Sequence, residues 1–138
     1  MTQKENTPIR SFHDLEVYQN SYDASVKVMR KIVPKLPKIE KNDLKSQISR
    51  SCKAVPRLIA EGFAKKHQEK GFQKYLDDSM AESNEMIVSL SHCRDIYDYL
   101  VDKNLCDELI RIYDITGRQL YSLSMAWSKF YEKKKPTS

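Results

Sequence analysis

The sequence has only three glycines and five prolines in 138 residues, and it lacks any long apolar run. So few chain breakers argue against an all-β chain, which needs many turns, and favour long helices. No apolar stretch approaches the roughly 20 residues that a membrane-spanning helix needs. The first twelve residues lack the apolar segment of a secretory signal peptide. We therefore expect a soluble cytoplasmic protein with no membrane partner.

The sequence is also poor in the residue patterns that build metal, redox or catalytic centres. Its three cysteines, Cys52, Cys93 and Cys106, are far apart, and no Cys-x-x-Cys or Cys/His cluster occurs. The Glu-x-x-His pairs of di-iron bundles and the Gly-x4-Gly-Lys phosphate loop are absent. Cys93 falls on an apolar helical seam, which favours burial over reactivity. We expect no metal, no other cofactor and no enzymatic activity.

What the sequence does contain is four segments in which apolar residues recur every three or four positions. This spacing is typical of amphipathic helices. It predicts helices over residues 12–35, 42–64, 69–101 and 105–131, with a polar turn at 65–71. The predicted core seam of the first helix is Leu15, Tyr18, Tyr22, Ser25, Met29, Ile32 and Leu36. That of the second is Leu44, Ile48, Ser51, Val55 and Leu58.

Turn-forming and capping residues predict the helix ends. Ser11 and Asp14 form a plausible capping box at the start of the first helix, and Pro34 and Pro37 end that helix. Asn42 is the predicted N-cap of the second helix.

Pro56 lies inside the second helix, where an interior proline costs about 3 kcal/mol. The apolar pattern nevertheless continues in phase past it, which predicts one continuous, kinked helix. Ser79 and Ser83 of the third helix are small enough to let a neighbouring helix approach closely.

Four long amphipathic helices joined by short turns pack most simply as an antiparallel, up-down-up-down four-helix bundle. No strand-like alternation of apolar and polar residues competes with this interpretation. We predict an all-α domain over residues 11–131. A flexible arm over 1–10 would precede it, and a disordered basic tail over 132–138 would follow it.

The chain opens with FHDLEVYQ at residues 12–19. This segment is similar to the Phe-x-Asp-Leu-x-Val-aromatic-Gln start of a known family, the four-helix-bundle proteins encoded in intervening sequences of bacterial 23S ribosomal RNA genes. Further short matches lie in the second and third helices, and the resemblance covers about residues 12–130. The residues that match the family's structural motifs there are Gln47, Arg50, Ser51, Pro56, Glu61, Gly62, Ser83 and Glu85.

The resemblance implies a homopentameric ring of bundles, and it does not imply one settled function. A related group serves as accessory proteins of reverse transcriptases in diversity-generating retroelements, where the pentamer binds nucleic acid and the polymerase. Two residues depart from the family pattern. Leu58 stands where the family usually has Asn, and Arg57 stands where it often has Ala.

Positive charge is concentrated in one part of the chain, whose net charge is +5. Residues 38–74 hold ten cations against four acids, whereas residues 75–114 hold ten acids against three cations. Such asymmetry suggests an anionic partner or contact between copies. Cations of the second helix lie opposite its apolar seam and could contact phosphates. The candidate nucleic-acid-binding residues are Lys45, Arg50, Lys53, Arg57, Lys65 and Lys66.

These observations suggest two possible functions, one in nucleic-acid binding and one in protein interaction. The first is a non-enzymatic homo-oligomer that binds structured RNA or DNA through the basic face of the second helix. Because no aromatic-rich RNA-reading motif is visible, such binding would be led by charge or shape rather than by base identity. The second is a protein-interaction scaffold, such as a reverse-transcriptase accessory subunit. The basic face would then be solvated, or paired with acidic helices across a subunit boundary.

Two smaller assignments depend on position. Glu61 could be catalytic, but a carboxylate there more often bonds a neighbouring helix, which we expect. Tyr99 and Tyr113 fall off the predicted seams, and they suit either subunit interfaces or the edges of the core.

Overall fold

The computed structural model describes residues 8–68 and 70–134, and all regular structure in these ranges is helical. Four α-helices are present there, which confirms the predicted all-α fold. They are α1 (Glu16–Lys27), α2 (Leu44–Ala64), α3 (Gly71–Ile96) and α4 (Lys103–Lys134). A π-helical segment, Val28–Ile32, extends α1, and short 3-10 turns lie at Phe12–Asp14, Val33–Lys35 and Lys38–Glu40.

The predicted arm and tail fall only partly within the described residues. Residues 1–7 and 135–138 lie outside them. Helix α4 continues to Lys134, so it includes the first three residues of the predicted tail.

The predicted capping box before the first helix is confirmed, whereas α1 itself starts only at Glu16, and the predicted N-cap of the second helix is wrong. Ser11 and Asp14 form the capping box, although it caps a 3-10 turn that precedes α1. Helix α2 begins at Leu44 rather than directly after Asn42. Its first amide donates a hydrogen bond to the Glu40 side chain at 3.2 Å, so a residue of the preceding turn does the capping.

Glu40 also ties this turn to the end of α3. The Tyr97 hydroxyl donates a hydrogen bond to the Glu40 carboxylate, which raises the pKa of Tyr97 to about 12. Tyr97 is the C-terminal cap of α3, so that helix ends five residues before the predicted residue 101. The one carboxylate of Glu40 therefore contacts the start of α2 and the end of α3.

Helix α2 passes through Pro56 without a break, as predicted. Four of its five predicted seam residues are buried, but Leu58 is only half-buried and Ile59 is fully buried instead. Residues of the predicted seam are on average 3.5 positions apart, whereas an α-helix has 3.6 residues per turn. Over the length of α2 this difference moves the buried side from Leu58 toward Ile59.

Two tyrosines were placed wrongly by periodicity. Tyr22, predicted as core, is 51% exposed, because the buried side of α1 runs through Ser21, Ala24 and Ser25. Tyr113, predicted off the seam, is fully buried, and burial raises the pKa of its hydroxyl above the usual range. Tyr99 is exposed, as an off-seam residue should be.

Small residues bring α2 and α3 into close contact. Ser79 and Ser83 are both fully buried, and the Ser79 hydroxyl donates a 3.0 Å hydrogen bond to the backbone carbonyl of Val55. A Cβ atom built on Gly62 would lie 2.6 Å from the Cβ of Tyr75 and 3.0 Å from the Phe72 ring. Since a Cβ atom is fixed to the backbone, only glycine fits between the helices at this point.

We expect Gly62→Ala to lower the free energy of unfolding by about 1–3 kcal/mol, because the added methyl group overpacks the contact between α2 and α3. Gly117→Ala is the matched control. A Cβ at Gly117 meets nothing within 4 Å, so this change in a helix interior should stabilise by about 0.5–1 kcal/mol. Urea unfolding followed by circular dichroism, at one protein concentration, measures both. Equal effects of the two substitutions would refute the steric explanation.

Candidate nucleic-acid interface

The cations predicted to bind nucleic acid lie on the solvent side of α2 and in the turn after it. Arg50, Lys53 and Arg57 are exposed on α2, and Lys45 is half-buried near its start. Lys65 and Lys66 follow directly after the last residue of the helix. The structure thus places four of the predicted residues on α2 and two in the turn after it, and their local partners differ.

Arg50 is held by the acidic side of α3. One guanidinium nitrogen lies 3.1 Å from Glu82 Oε2, and the other lies 3.3 Å from Glu85 Oε1. The Ser51 hydroxyl donates to the same oxygen of Glu85 at 3.3 Å. Within a single chain, Arg50 is therefore an inter-helix contact whose charge is balanced by two carboxylates.

Arg57 has a weaker partner, and it comes from its own helix. Its guanidinium lies 2.7 Å from Glu61 one turn later, with both side chains about half exposed. Glu61 thus bonds α2 itself and not a neighbouring helix, so the prediction for Glu61 is wrong in that respect. An exposed pair at this spacing contributes only about 0.3–0.5 kcal/mol. Arg57 can exchange Glu61 for another anion at little cost.

Lys53 lies one turn before Arg57 and projects into solvent. It takes part in none of the ion pairs found among residues 8–68 and 70–134. Within these ranges its charge is therefore not balanced by a carboxylate.

Three lysines, Lys65, Lys66 and Lys70, form the turn between α2 and α3, and we call them the turn lysines. The ammonium of Lys65 lies 5.5 Å from the centre of the Tyr75 ring, and that of Lys66 lies 4.2 Å from the Phe63 ring. A cation over an aromatic ring is attracted by the ring but keeps its charge. Both ammonium groups therefore lie beside aromatic rings near the end of α2.

A groove of about 250 Å³ between α1 and α2 adds aromatic surface beside the cations. We call it the α1–α2 groove. It is lined by Phe12, Tyr18, Tyr22, Ser25, Lys53, Pro56, Arg57 and Ala60. The rings of Phe12 and Tyr18 meet edge to face at 4.8 Å between centroids, and those of Tyr18 and Tyr22 are nearly parallel at 6.0 Å.

Sequence reasoning missed this groove because it assigned Tyr18 and Tyr22 to the core. The spacing of four residues between Tyr18 and Tyr22 could have indicated the groove, because it places both rings on one face of a helix. That spacing does not say whether the face is buried, and the tyrosine side chain suits both environments.

Other chemistry has little support in the described residues. Cys93 is buried, as predicted, and burial raises the pKa of its thiol to about 12. Among residues 8–68 and 70–134, no three His, Cys, Asp or Glu side chains come together as a metal site. In the same ranges, no helix combines the length and the apolar character that crossing a membrane requires.

We expect Arg50→Met to lower the free energy of unfolding by about 1 kcal/mol, since it removes two ion pairs between α2 and α3. Lys53→Met, a matched loss of one cation from the same helix, should change it by less than about 0.5 kcal/mol. Guanidinium unfolding curves measure both. Equal stability of the two variants would contradict a structural role for Arg50.

The protein-family comparison agrees with this architecture. Residues 13–122 match the family described as 23S rRNA-intervening sequence protein. No individual curated protein matches the chain. The matched range begins at the turn before α1, includes all of α2 and α3, and ends within α4. Because it covers most of the sequence, the chain belongs to the 23S rRNA-intervening sequence protein family.

Proposed function

We propose that this protein is a non-enzymatic, homo-oligomeric helical bundle that binds structured RNA or DNA through α2 and the turn lysines. The observation that carries the proposal is the exposure of Lys53 and Arg57 on α2, next to the positively charged turn. Lysine and arginine side chains that neutralise phosphates release condensed counterions, which favours binding to a polyanion. Arg50 is left out of this surface because Glu82 and Glu85 already balance its charge.

Antiparallel packing of the helices would extend the basic surface, and we include it in the proposal. Two contacts between α3 and α4 support it. Arg94, near the end of α3, pairs with Asp107 at 2.9 Å, whereas Gln73, near its start, bonds the Ser124 carbonyl at 3.2 Å. The end of α4 then lies beside the turn lysines, and the exposed Lys129 adds charge to the same end of the bundle.

Self-association would use the outer face of α3 and α4. Apolar side chains are exposed there, including Val88 at 55% and Tyr121 at 58%. A shallow depression of about 450 Å³ on this face is lined by Met80, Gly117 and Tyr121, together with the polar residues Asn84, Asp114, Arg118 and Ser122. Exposed apolar surface of this kind marks protein contacts. A ring, five-membered in our proposal, would repeat each basic surface and strengthen binding through multivalency.

The alternative proposal is a protein-interaction scaffold, such as a reverse-transcriptase accessory subunit. The same apolar face of α3 and α4 supports it, because that face suits a different protein as well as a second copy. A measurement of nucleic-acid affinity distinguishes the two proposals, because a scaffold need not bind nucleic acid.

The double variant Lys53→Glu/Arg57→Glu should weaken binding to a labelled hairpin RNA at least tenfold. It should also reduce the slope of log affinity against log salt by about two, because two phosphate contacts are lost. Lys103→Glu/Arg111→Glu is the control, since it makes the same change in charge at exposed cations of α4. Fluorescence anisotropy at several salt concentrations measures each affinity.

Equal weakening in both double variants would mean that net charge, and not the α2 surface, controls the affinity. Absence of binding by the unmodified protein at low salt would refute the nucleic-acid proposal and leave the scaffold.

Tyr121→Glu should lower the mass of the oligomer, because it places a charge in the proposed subunit contact. Ile39→Glu is the control, since Ile39 is an exposed apolar residue of the 3-10 turn Lys38–Glu40 and lies outside the proposed contact. Size-exclusion chromatography with light scattering measures the mass. An unchanged mass for Tyr121→Glu would exclude this face as the interface.

A further inference from the structure

We propose that the α1–α2 groove binds a single unpaired nucleotide, with its base against Tyr18 and Tyr22 and its phosphate on Lys53 and Arg57. This inference rests on the proposed nucleic-acid function and specifies how it would act. It also differs from what the sequence predicts, because binding through the groove reads unpaired bases and not charge alone.

The aromatic residues offer a surface on which a base can stack. Half of the Tyr22 surface is open to solvent, and its ring lies nearly parallel to that of Tyr18, at an interplanar angle of 28°. Phe12 packs edge to face against Tyr18. Stacking of a base on such a ring is worth about 1–3 kcal/mol and tolerates any base, since every base has a π-face.

The groove is small, so a flat group can enter it but a duplex cannot. Its volume of about 250 Å³ lies below the roughly 300–1,000 Å³ typical of pockets for drug-sized ligands. Buried Pro56 and half-buried Ala60 make its α2 wall apolar. A paired base cannot enter, because its edge and both faces are already occupied in the double helix.

The charge of the groove selects an anion. Lys53 and Arg57 are four residues apart on α2, so their side chains stand on adjacent turns of one face. Both line the groove that holds the tyrosines. Arg57 gives up only an exposed pair with Glu61 when it turns to a phosphate. A nucleotide joins a flat aromatic base to a phosphate, so it can stack on the rings and contact the cations at once. An apolar peptide can contact only the rings.

The proposal predicts a preference among nucleic acids of equal charge. RNA loops and bulges present unstacked bases, whereas a duplex hides them. We expect the protein to bind a hairpin with an unpaired loop about tenfold more tightly than a blunt duplex with the same number of phosphates. With 2-aminopurine in the loop, stacking on Tyr22 should also change the fluorescence of that base.

The decisive variants change one ring. Tyr22→Ala should lower the affinity for the loop about tenfold, leave the duplex affinity unchanged and abolish the 2-aminopurine signal. Tyr22→Phe should keep all three properties, because it retains the aromatic face. Tyr99→Ala is the matched control, as it removes an exposed tyrosine outside the groove. Circular dichroism and light scattering of each variant confirm that fold and mass are retained.

The outcomes separate this inference from the function on which it rests. Equal binding of loop and duplex, with no effect of Tyr22→Ala, would overturn the groove proposal and leave charge-led nucleic-acid binding in place. Failure of the unmodified protein to bind either RNA would overturn both. A fall in oligomer mass for Tyr22→Ala would mean that a second copy covers the groove, which also overturns the inference.

Discussion

The close approach of α2 and α3 is the constraint on which the rest of the structure depends. Gly62 leaves no room for a side chain against Tyr75, and Ser79 reaches the backbone of α2 with its hydroxyl. Packing at this distance fixes the rotation of α2 about its own axis. Because that rotation is fixed, one side of α2 enters the core, and the opposite side, with Lys53 and Arg57, faces solvent.

The exposed side of α2 combines two kinds of basic residue. Arg50 is part of the architecture, because it links α2 to two carboxylates of α3. Lys53 and Arg57 have no such inter-helix partner among the ion pairs of the described residues. A count of cations along the helix treats all three alike. Only the placement of acidic residues on the neighbouring helix separates the structural arginine from the accessible charges.

Periodicity predicted the four helices and most of the core, because burial of an apolar stripe is a local property of the sequence. It failed where neighbouring positions offered similar side chains. Tyr22 was predicted to be buried and is exposed, whereas Tyr113 was predicted to lie off the core seam and is buried. Rotating a helix by one residue is enough to move a tyrosine between surface and core. The cap of α2 was missed because Glu40 reaches it from a separate 3-10 turn. The α1–α2 groove joins two helices, so no single segment of sequence contains it.

The π-helical segment Val28–Ile32 has a consequence for how this fold can change. Its closing amide, that of Val33, bonds the carbonyl of Val28 five residues earlier, where an α-helix would bond four residues earlier. A π-helical turn accommodates one more residue than an α-helical turn, so it offsets the angular phase of the two parts of the helix. Val28 and Ile32 are buried within this segment, and the tyrosines of the groove, Tyr18 and Tyr22, precede it in α1. Deleting one residue here would restore an uninterrupted α-helix and leave the aromatic rings in their present orientation, because the π-helical turn already absorbs the additional residue. A bundle of this kind can therefore gain or lose one residue in this segment while its core residues and its exposed face both keep their positions.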